Sequence, residues 1–235
     1  KNHDVVPIEI IINIAKLRHG GAQKFLSTLH RFKLVYHDAS KYDGYRLTYM
    51  GYDFLALHTF AARGTIVSFG HKVGCGKESD VFCALTAEGE EVIIKLERLG
   101  RTSFRTIKKN RDYLVHRKSA SWFYLSRLAA IKEYSFMKAL HARGFPTPVP
   151  LDQNRHAILM SKVPGVPLYQ IRSGCLETAG SVLDICLGLL SRLADHGLVH
   201  CDLNEFNIMV SLDGQQVTLI DFPQMISTSH KNAKY

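Results

Sequence analysis

Residues 198–224 read LVHCDLNEFNIMVSLDGQQVTLIDFPQ and carry the most specific motif in the chain. Two apolar runs, 208–210 and 217–220, flank a turn that contains Asp213-Gly214, and this pattern predicts a β-hairpin. Polar residues stand on both sides of the hairpin: His200, Asp202, Asn207 and Asp221. Because the two ends of a hairpin lie together, we expect Asp202, Asn207 and Asp221 to converge on one centre.

Such a centre would suit phosphoryl transfer. That reaction needs a carboxylate to accept a hydroxyl proton or orient a nucleophile, and oxygen ligands for the magnesium that bridges the phosphates. The spacing H-x-D-L-x-x-x-N, followed by an apolar run and Asp-Phe, is specific for it when a glycine-rich turn and a strand lysine precede the motif.

A glycine-rich segment does precede it, because residues 72–95 read KVGCGKESDVFCALTAEGEEVIIK. Its Gly76-Lys77 pair does not form a Walker loop, which requires a glycine, four residues, then Gly-Lys and a hydroxyl residue. Glu78 stands where the hydroxyl is needed, and His71 stands where the first glycine is needed. The Walker interpretation is therefore excluded.

The same segment fits a glycine-rich turn between two antiparallel strands, 81–85 and 92–96, with Lys95 on the second strand. In kinase-type nucleotide lobes such a turn covers the phosphates and the strand lysine reaches them. A lysine in a buried strand needs an anionic partner. The alternative is a lysine whose stem packs while its ammonium group stays in water.

A long helix predicted over 121–142 contains one acid, Glu133, which is the natural partner for Lys95. The alternative is a surface Glu133 paired with Lys132 or Lys138. Further on, 156–160 predicts a buried strand that ends at 163–165, where free backbone groups could bind an adenine edge. A leucine-rich helix is predicted over 177–195.

Residues 98–118 carry eight basic side chains against the single acid Asp112. A run of this kind is usually a solvated or disordered face, although it could also hold phosphate.

An N-terminal unit ends at a seam near 62–64. Apolar spacing predicts three helices, over residues 8–18, 22–32 and 52–62. The turn at Asp43-Gly44 predicts a hairpin whose strands are 34–36 and 45–49. This order is that of a winged helix, whose second helix can enter a nucleic-acid groove. Winged helices also dock proteins, and Asp38, Asp43 and Asp53 dilute the basic face, so both uses stay open.

Composition restricts the partners. The chain has 235 residues and a formal net charge of +9, which favours an acidic partner such as nucleic acid or nucleotide. No apolar run reaches the ~18 residues of a membrane span, and no signal-peptide pattern is present, so we expect no membrane partner. Five cysteines without Cys-x-x-Cys spacing argue against a disulfide framework and a zinc site. Because it lacks an initiator methionine, we expect the chain to be an excised fragment.

On these motifs, residues 67–224 resemble the RIO family of atypical serine/threonine protein kinases. The loop HCDLNEFN, the glycine-loop variant GCGKESDV, the variant DFPQ and the preceding winged helix are similar to the second RIO subfamily. The resemblance implies an α+β fold with a winged-helix domain (1–63), a kinase N-lobe (64–163, with a basic flexible loop at 98–118) and a truncated C-lobe (164–235).

The resemblance also implies roles for individual residues. Asp202 would be the catalytic carboxylate, Lys95 would hold the α- and β-phosphates, and Asp221 would join them in catalysis. Magnesium would be bound by Asn207 and Asp221, and His200 would brace the loop. ATP would contact the following set: Val73, Gly74, Gly76, Lys77, Ser79, Val81, Lys95, Glu133, Met160, Ser161, Val163 and Ile220.

The resemblance further implies an ATP- and Mg²⁺-dependent activity that acts on the precursor of the small (40S) ribosomal subunit. It implies a cytoplasmic location, and passage through the nucleus stays open. The winged helix and the basic loop would touch rRNA or ribosomal proteins there. Few residues follow Asp221, so we expect no peptide-docking helices in this chain, and we hypothesise an ATPase switch that can phosphorylate itself at Asp221. The alternatives are a small-molecule kinase of the aminoglycoside or choline type and a non-catalytic ATP-binding assembly factor.

Overall fold

The N-terminal unit is a helical bundle with a three-stranded sheet. The computed structural model describes residues 5–17, 20–40, 42–101, 120–171, 179–230 and 233. The unit comprises β1 (Val6–Pro7), α1 (Ile8–Ala15), α2 (Gly21–Arg31), β2 (Val35–Asp38), β3 (Gly44–Leu47) and α3 (Tyr49–Ala62), and its sheet order is β1-β3-β2. The predicted hairpin and all three helices are present.

Two of these helix ends differ from the predicted ones by three residues, for local reasons, and both ends of α2 differ by one residue. Helix α1 ends at Ala15 because Lys16 takes a left-handed conformation, and residue 18 lies outside the described residues. Helix α3 begins at Tyr49, three residues earlier than predicted, because the Thr48 hydroxyl accepts a hydrogen bond from the Gly51 N–H at 3.0 Å. A threonine in this position caps the otherwise unpaired amides of the first turn.

The second unit is built on a five-stranded antiparallel sheet. Its strands are β4 (Ser68–Cys75), β5 (Ser79–Leu85), β6 (Glu91–Glu97), β7 (Pro150–Asn154) and β8 (Ala157–Ser161), in the order β4-β5-β6-β8-β7. Helix α4 (Trp122–His141) packs against this sheet, and the Ser121 hydroxyl accepts from the Tyr124 N–H at its start. The three strands predicted here, at 81–85, 92–96 and 156–160, and the long helix are confirmed.

The third unit contains helix α5 (Ala179–Asp195) and two small sheets. Its strands are β9 (Val166–Pro167), β10 (Leu198–Val199), β11 (Ile208–Val210), β12 (Val217–Leu219) and β13 (Ile226–Ser227). One sheet has the order β12-β11-β9, and the other pairs β10 with β13. The hairpin predicted in 198–224 is thus β11–β12. The first two residues of the predicted helix 177–195 lie outside the described residues.

The connection between the second and third units is a tight turn. Gly165 has a φ of +105°, and a Cβ on it would lie 2.2 Å from the Val210 carbonyl oxygen. Because only glycine fits, the chain can pass directly over β11 and pair with it as β9. The predicted strand end is present, but the chain enters a different sheet at once.

Buried side chains tie the units to each other. A core cluster draws Ala56 and Phe60 from α3 together with Ile66 and the sheet residues Val92 and Ile94. A second cluster joins α4 and β8 of the second unit to α5, β11 and β12 of the third. Among the described residues, no helix is long and apolar enough to cross a membrane.

Candidate active site

Lys95 lies at the centre of the site, on strand β6. Its Nζ donates to Glu133 Oε1 and Oε2 at 2.7 and 2.8 Å, and to Asp221 Oδ1 at 2.6 Å. Lys95 is only 8% exposed and Glu133 only 1%. The predicted pairing of Lys95 with Glu133 is therefore present, and both surface alternatives are wrong.

A carboxylate that the sequence reasoning missed completes this cluster. Glu97 is buried, and its Oε1 lies 3.5 Å from Lys95 Nζ. Residues two apart on a strand point to the same face, so the alternation from Lys95 to Glu97 was the signal that could have revealed it. One ammonium group is thus surrounded by three carboxyl groups: Glu97, Glu133 and Asp221.

The pKa values of Lys95 and Glu97 are both raised in this cluster, for different physical reasons. Burial alone would lower the pKa of Lys95, but the carboxylates of Asp221 and Glu133 hold it well above its usual value. Burial raises the pKa of Glu97 well above its usual range, and the charges of Glu133 and Asp221 add to this despite Lys95. The ammonium form of Lys95 is therefore stabilised by its carboxylate partners, and among the three carboxyl groups Glu97 is the one that burial disposes toward its protonated form.

Asp202 is held in place by amides of its own loop and of the segment after β12. Its carboxylate accepts from Asn204 Nδ2 at 3.0 Å and from Gln224 Nε2 at 2.8 Å, and Asn207 Nδ2 donates to its main-chain carbonyl at 2.8 Å. The sequence reasoning missed Gln224, although it noted the variant DFPQ that contains it. Burial and the charge of Asp221 raise the pKa of Asp202, which strengthens it as a proton acceptor.

Asn207 and Asp221 are brought together by the strand pairing. The Ile220 N–H donates to the Asn207 carbonyl at 3.0 Å, so the residue before Asp221 is fixed against Asn207. Asp221 itself has a φ of +69°, a conformation that turns the chain sharply after β12. The two side chains offer the carboxylate and amide oxygens that Mg²⁺ prefers.

These donors fit a magnesium ion that is only partly held by the protein. Among the described residues, no group of three histidine, cysteine or acidic side chains is placed to hold a metal. Mg²⁺ commonly takes one or two protein ligands and completes its shell with water and substrate phosphates. The pair Asn207 and Asp221 matches that pattern, so their metal-binding role stays a prediction.

The glycine-rich turn joins β4 to β5 at one edge of the sheet. Gly74 lies opposite Val81, which lies opposite Lys95, so the three form one row across the strands. The Gly76 N–H donates to the Ser79 carbonyl at 2.8 Å and closes the turn. Two further predicted ATP contacts are exposed here: Val73 and Lys77.

The predicted adenine contacts lie around the end of β8. Met160 is buried, and Val163 and Ile220 are half-buried. The Ser161 N–H donates to the Val149 carbonyl at 3.0 Å, and its hydroxyl accepts from the Val149 N–H at 2.8 Å. These two groups of Ser161 are engaged within the protein, and the predicted contact of Ser161 with ATP stays a prediction.

His200 and the basic run are the two remaining sequence features. Burial lowers the pKa of His200, and its ring centroid lies 5.7 Å from that of Phe222, while its bracing role stays a prediction. Of the run at 98–118, residues 102–118 lie outside the described residues. Arg98 is nearly buried and ion-paired with Asp53 and Asp80, so the solvated-face interpretation is wrong for this residue.

Comparisons with known proteins agree with this architecture. Residues 80–235 match the RIO domain family, and residues 1–63 match the family described as Rio2, N-terminal. The chain is 54% identical over 234 residues to serine/threonine-protein kinase rio2 of Dictyostelium discoideum, covering 100% of this chain and 44% of that protein. It is 48% identical over 236 residues to serine/threonine-protein kinase rio2 of Schizosaccharomyces pombe, covering 100% of this chain and 68% of that protein.

A solved structure matches as well. The crystal structure of the Rio2 kinase–ADP/Mg²⁺–phosphoaspartate complex from Chaetomium thermophilum superposes with a TM-score of 0.82 at 48% identity, covering 99% of this chain and 71% of that one. These matches confirm the predicted fold class. The chain spans about half the length of the curated relatives it matches, from 44% to 68% for four eukaryotic ones.

Proposed function

This chain belongs to the Rio2 family of RIO-domain proteins, and from that premise we propose that it is an ATP- and Mg²⁺-dependent phosphotransferase. In this proposal it is an atypical serine/threonine protein kinase that also hydrolyses ATP. The observation that carries the proposal is the clamp on Lys95, whose Nζ is held by Glu133 at 2.7 Å and lies 2.6 Å from Asp221. A charged, buried ammonium group fixed beside a catalytic loop is the arrangement that kinases use for phosphates.

Each residue of the site has a defined task in this reaction. Lys95 binds phosphate oxygens of ATP, and Glu133 keeps its Nζ aimed at them. Asp202, oriented by Asn204 and Gln224, orients the attacking hydroxyl or water and accepts its proton. Mg²⁺, held by Asn207 and Asp221, would supply positive charge that stabilises the phosphates during transfer.

We further propose that Asp221 is itself a phosphoacceptor. A carboxylate oxygen of Asp221 bonds to the γ-phosphorus while the bond from that phosphorus to the β–γ bridging oxygen breaks and ADP leaves. Water then cleaves the acyl phosphate and releases inorganic phosphate. The relative from Chaetomium thermophilum was solved as an ADP/Mg²⁺-phosphoaspartate complex, which supports this route.

The biological role that we propose is a conformational switch on the precursor of the small (40S) ribosomal subunit, in the cytoplasm and with passage through the nucleus left open. The resemblance to the family, the winged helix and the net charge of +9 support a partner that contains RNA. ATP hydrolysis would then drive release of the protein from that particle.

The direct test follows the label of γ-labelled ATP in wild-type protein and in Asp221→Asn. We expect an alkali-labile, protein-bound label in the wild type and its loss in Asp221→Asn. Turnover of ATP without any protein-bound label would remove the phosphoaspartate route. No turnover and no label would instead favour the non-catalytic assembly factor.

The small-molecule kinase alternative has its own test. A screen of aminoglycosides, choline and related amino alcohols measures whether any of them accelerates ADP formation. We expect no acceleration, because the relatives at 54% and 48% identity are named serine/threonine-protein kinases.

A further inference from the structure

Asp53 belongs to the winged-helix unit, yet its carboxylate is bound by two residues of the kinase unit. Arg98 Nη1 and Nη2 donate to its two oxygens at 2.5 and 2.6 Å, and His156 Nε2 lies 2.7 Å from Oδ1. His156 is almost fully buried, and the Arg98 side chain is 11% exposed. This is a bidentate, desolvated ion pair across the boundary between two units.

The other end of Arg98 reaches the glycine-rich turn. Its Nε donates to Asp80 Oδ2 at 3.1 Å, and its main-chain N–H donates to the Glu78 carbonyl at 2.5 Å. Arg101 also binds Asp80, and its Nη1 donates to the Gly76 carbonyl at 2.9 Å. A continuous chain of hydrogen bonds therefore runs from helix α3 to the turn predicted to cover the phosphates.

The charges in this chain depend on one another. Burial opposes ionisation of Asp53, but hydrogen bonds from His156 and Arg98 keep the pKa of its carboxyl below the usual value. Asp80 is 4% exposed and also receives Lys72 Nζ at 3.1 Å. Removing the charge of Asp53 leaves the buried guanidinium of Arg98 with Asp80 as its remaining carboxylate, so Arg98 is expected to shift toward the turn.

We propose that Asp53 is a positioning residue for ATP, because it fixes Arg98 and through Arg98 the shape of the turn at residues 75–80. The winged-helix unit thereby takes part in nucleotide binding without touching the nucleotide. This inference rests on the proposed ATP-dependent function and adds to it a residue outside the kinase unit.

A second ion pair across the same boundary provides a matched control. Arg63 Nη1 lies 2.7 and 2.8 Å from the two oxygens of Asp152 on β7. In the sheet order β4-β5-β6-β8-β7, strand β7 is the edge farthest from the glycine-rich turn. Asp152→Asn therefore breaks a more exposed ion pair between the same units, one with no route to the turn.

The experiment titrates MgATP into the wild type, Asp53→Asn, Arg98→Lys, the double variant and Asp152→Asn, with thermal unfolding as a check on folding. We expect the Kd for MgATP to rise about fivefold or more in Asp53→Asn and to stay within about twofold of the wild type in Asp152→Asn. The rate at saturating ATP should change little, so the effect appears in KM. The double variant should bind no more weakly than Arg98→Lys, because both changes break the same chain.

Other outcomes overturn one proposal or the other. Equal Kd values for the wild type and Asp53→Asn, or a double variant whose losses simply add, would overturn the positioning role and leave ATP binding intact. If Asp53→Asn does not fold, the Kd of Arg98→Lys for MgATP becomes the test, because this variant keeps the positive charge and most of the side-chain stem. An unchanged Kd in Arg98→Lys would overturn the inference. A wild type that does not bind MgATP contradicts the proposed function itself.

Discussion

At the scale of single residues, the site depends on Lys95 balancing the acids around it. Its ammonium group contacts Glu133, Asp221 and Glu97 within 3.5 Å, and all but Asp221 are buried. Buried charges of opposite sign stabilise one another here, because the desolvation of an unpaired charge would be strongly unfavourable. Two substitutions separate the contribution of the positive charge from that of the extra carboxyl.

Lys95→Met removes the positive charge and leaves the carboxyl groups to repel one another. We expect a loss of about 3 kcal/mol in the free energy of unfolding, together with loss of MgATP binding. Chemical denaturation measures the first and calorimetric titration the second. A destabilisation below about 1 kcal/mol would show that the carboxyls are neutralised in another way.

Glu97→Gln should stabilise the protein at alkaline pH. The folded-state pKa of Glu97 is raised above its usual 4.5, so the folded chain keeps a proton that the unfolded chain releases. Stability therefore falls as the pH rises from about 4.5 toward the folded-state pKa. Glutamine keeps a hydrogen-bond donor at this position but does not lose a proton on unfolding. The variant should therefore need more denaturant than the wild type to unfold at pH 8, whereas the stabilities of the two proteins near pH 4 should be closer. A variant that is less stable than the wild type at pH 8 would contradict this assignment.

At the scale of secondary-structure elements, the link between β9 and β11 holds the interlobe connection against the catalytic loop. Gly165→Ala places a Cβ 2.2 Å from the Val210 carbonyl oxygen at a φ of +105°. We expect a loss of about 3 kcal/mol, since strain and overpacking add. Gly64 is the matched control because it has a φ of +73° and nothing within 4 Å of its Cβ position, so Gly64→Ala should cost only about 1 kcal/mol. Equal losses in the two variants would show that the close approach is relieved by movement of the chain.

The elements that the sequence predicted are those that local patterns define. The β11–β12 hairpin follows from its apolar runs and Asp213-Gly214, and α4 follows from its apolar spacing. Strand β9 was not predicted, because a strand of two residues is too short to show an alternation of apolar and polar side chains. Its pairing with Met209 and Val210 is a tertiary contact. The early start of α3 depends on the Thr48 hydroxyl, and threonine caps are common enough to have been anticipated.

The site divides in the same way. Lys95, Glu133, Asp202, Asn207 and Asp221 were predicted because kinase-like spacing identifies them, and the structure brings them together. Gln224 and Asp53 were not predicted, since each acts on a partner more than 20 residues away that no spacing rule connects. Contacts of this kind depend on how separate units pack.

At the scale of the whole molecule, the winged helix and the N-lobe share one core. Phe60 of α3 is fully buried with Val92 and Ile94 of the sheet, although the seam in the sequence lies just after it. We expect the two units to unfold in one transition, and Phe60→Ala to destabilise both by about 3–4 kcal/mol. Thermal unfolding followed by calorimetry and by tyrosine fluorescence measures this. Two resolved transitions, of which only one moves in Phe60→Ala, would contradict a shared core.

In the proposed function, this chain turns over ATP with Asp202 as its catalytic carboxylate. The most direct measurement is the initial rate of phosphate release from MgATP by the wild type, Asp202→Asn and the control Glu205→Gln, an exposed change on the same loop. We expect Asp202→Asn to lose about 100-fold or more in rate while it still binds MgATP, and Glu205→Gln to match the wild type. Equal rates in the wild type and Asp202→Asn would contradict the account.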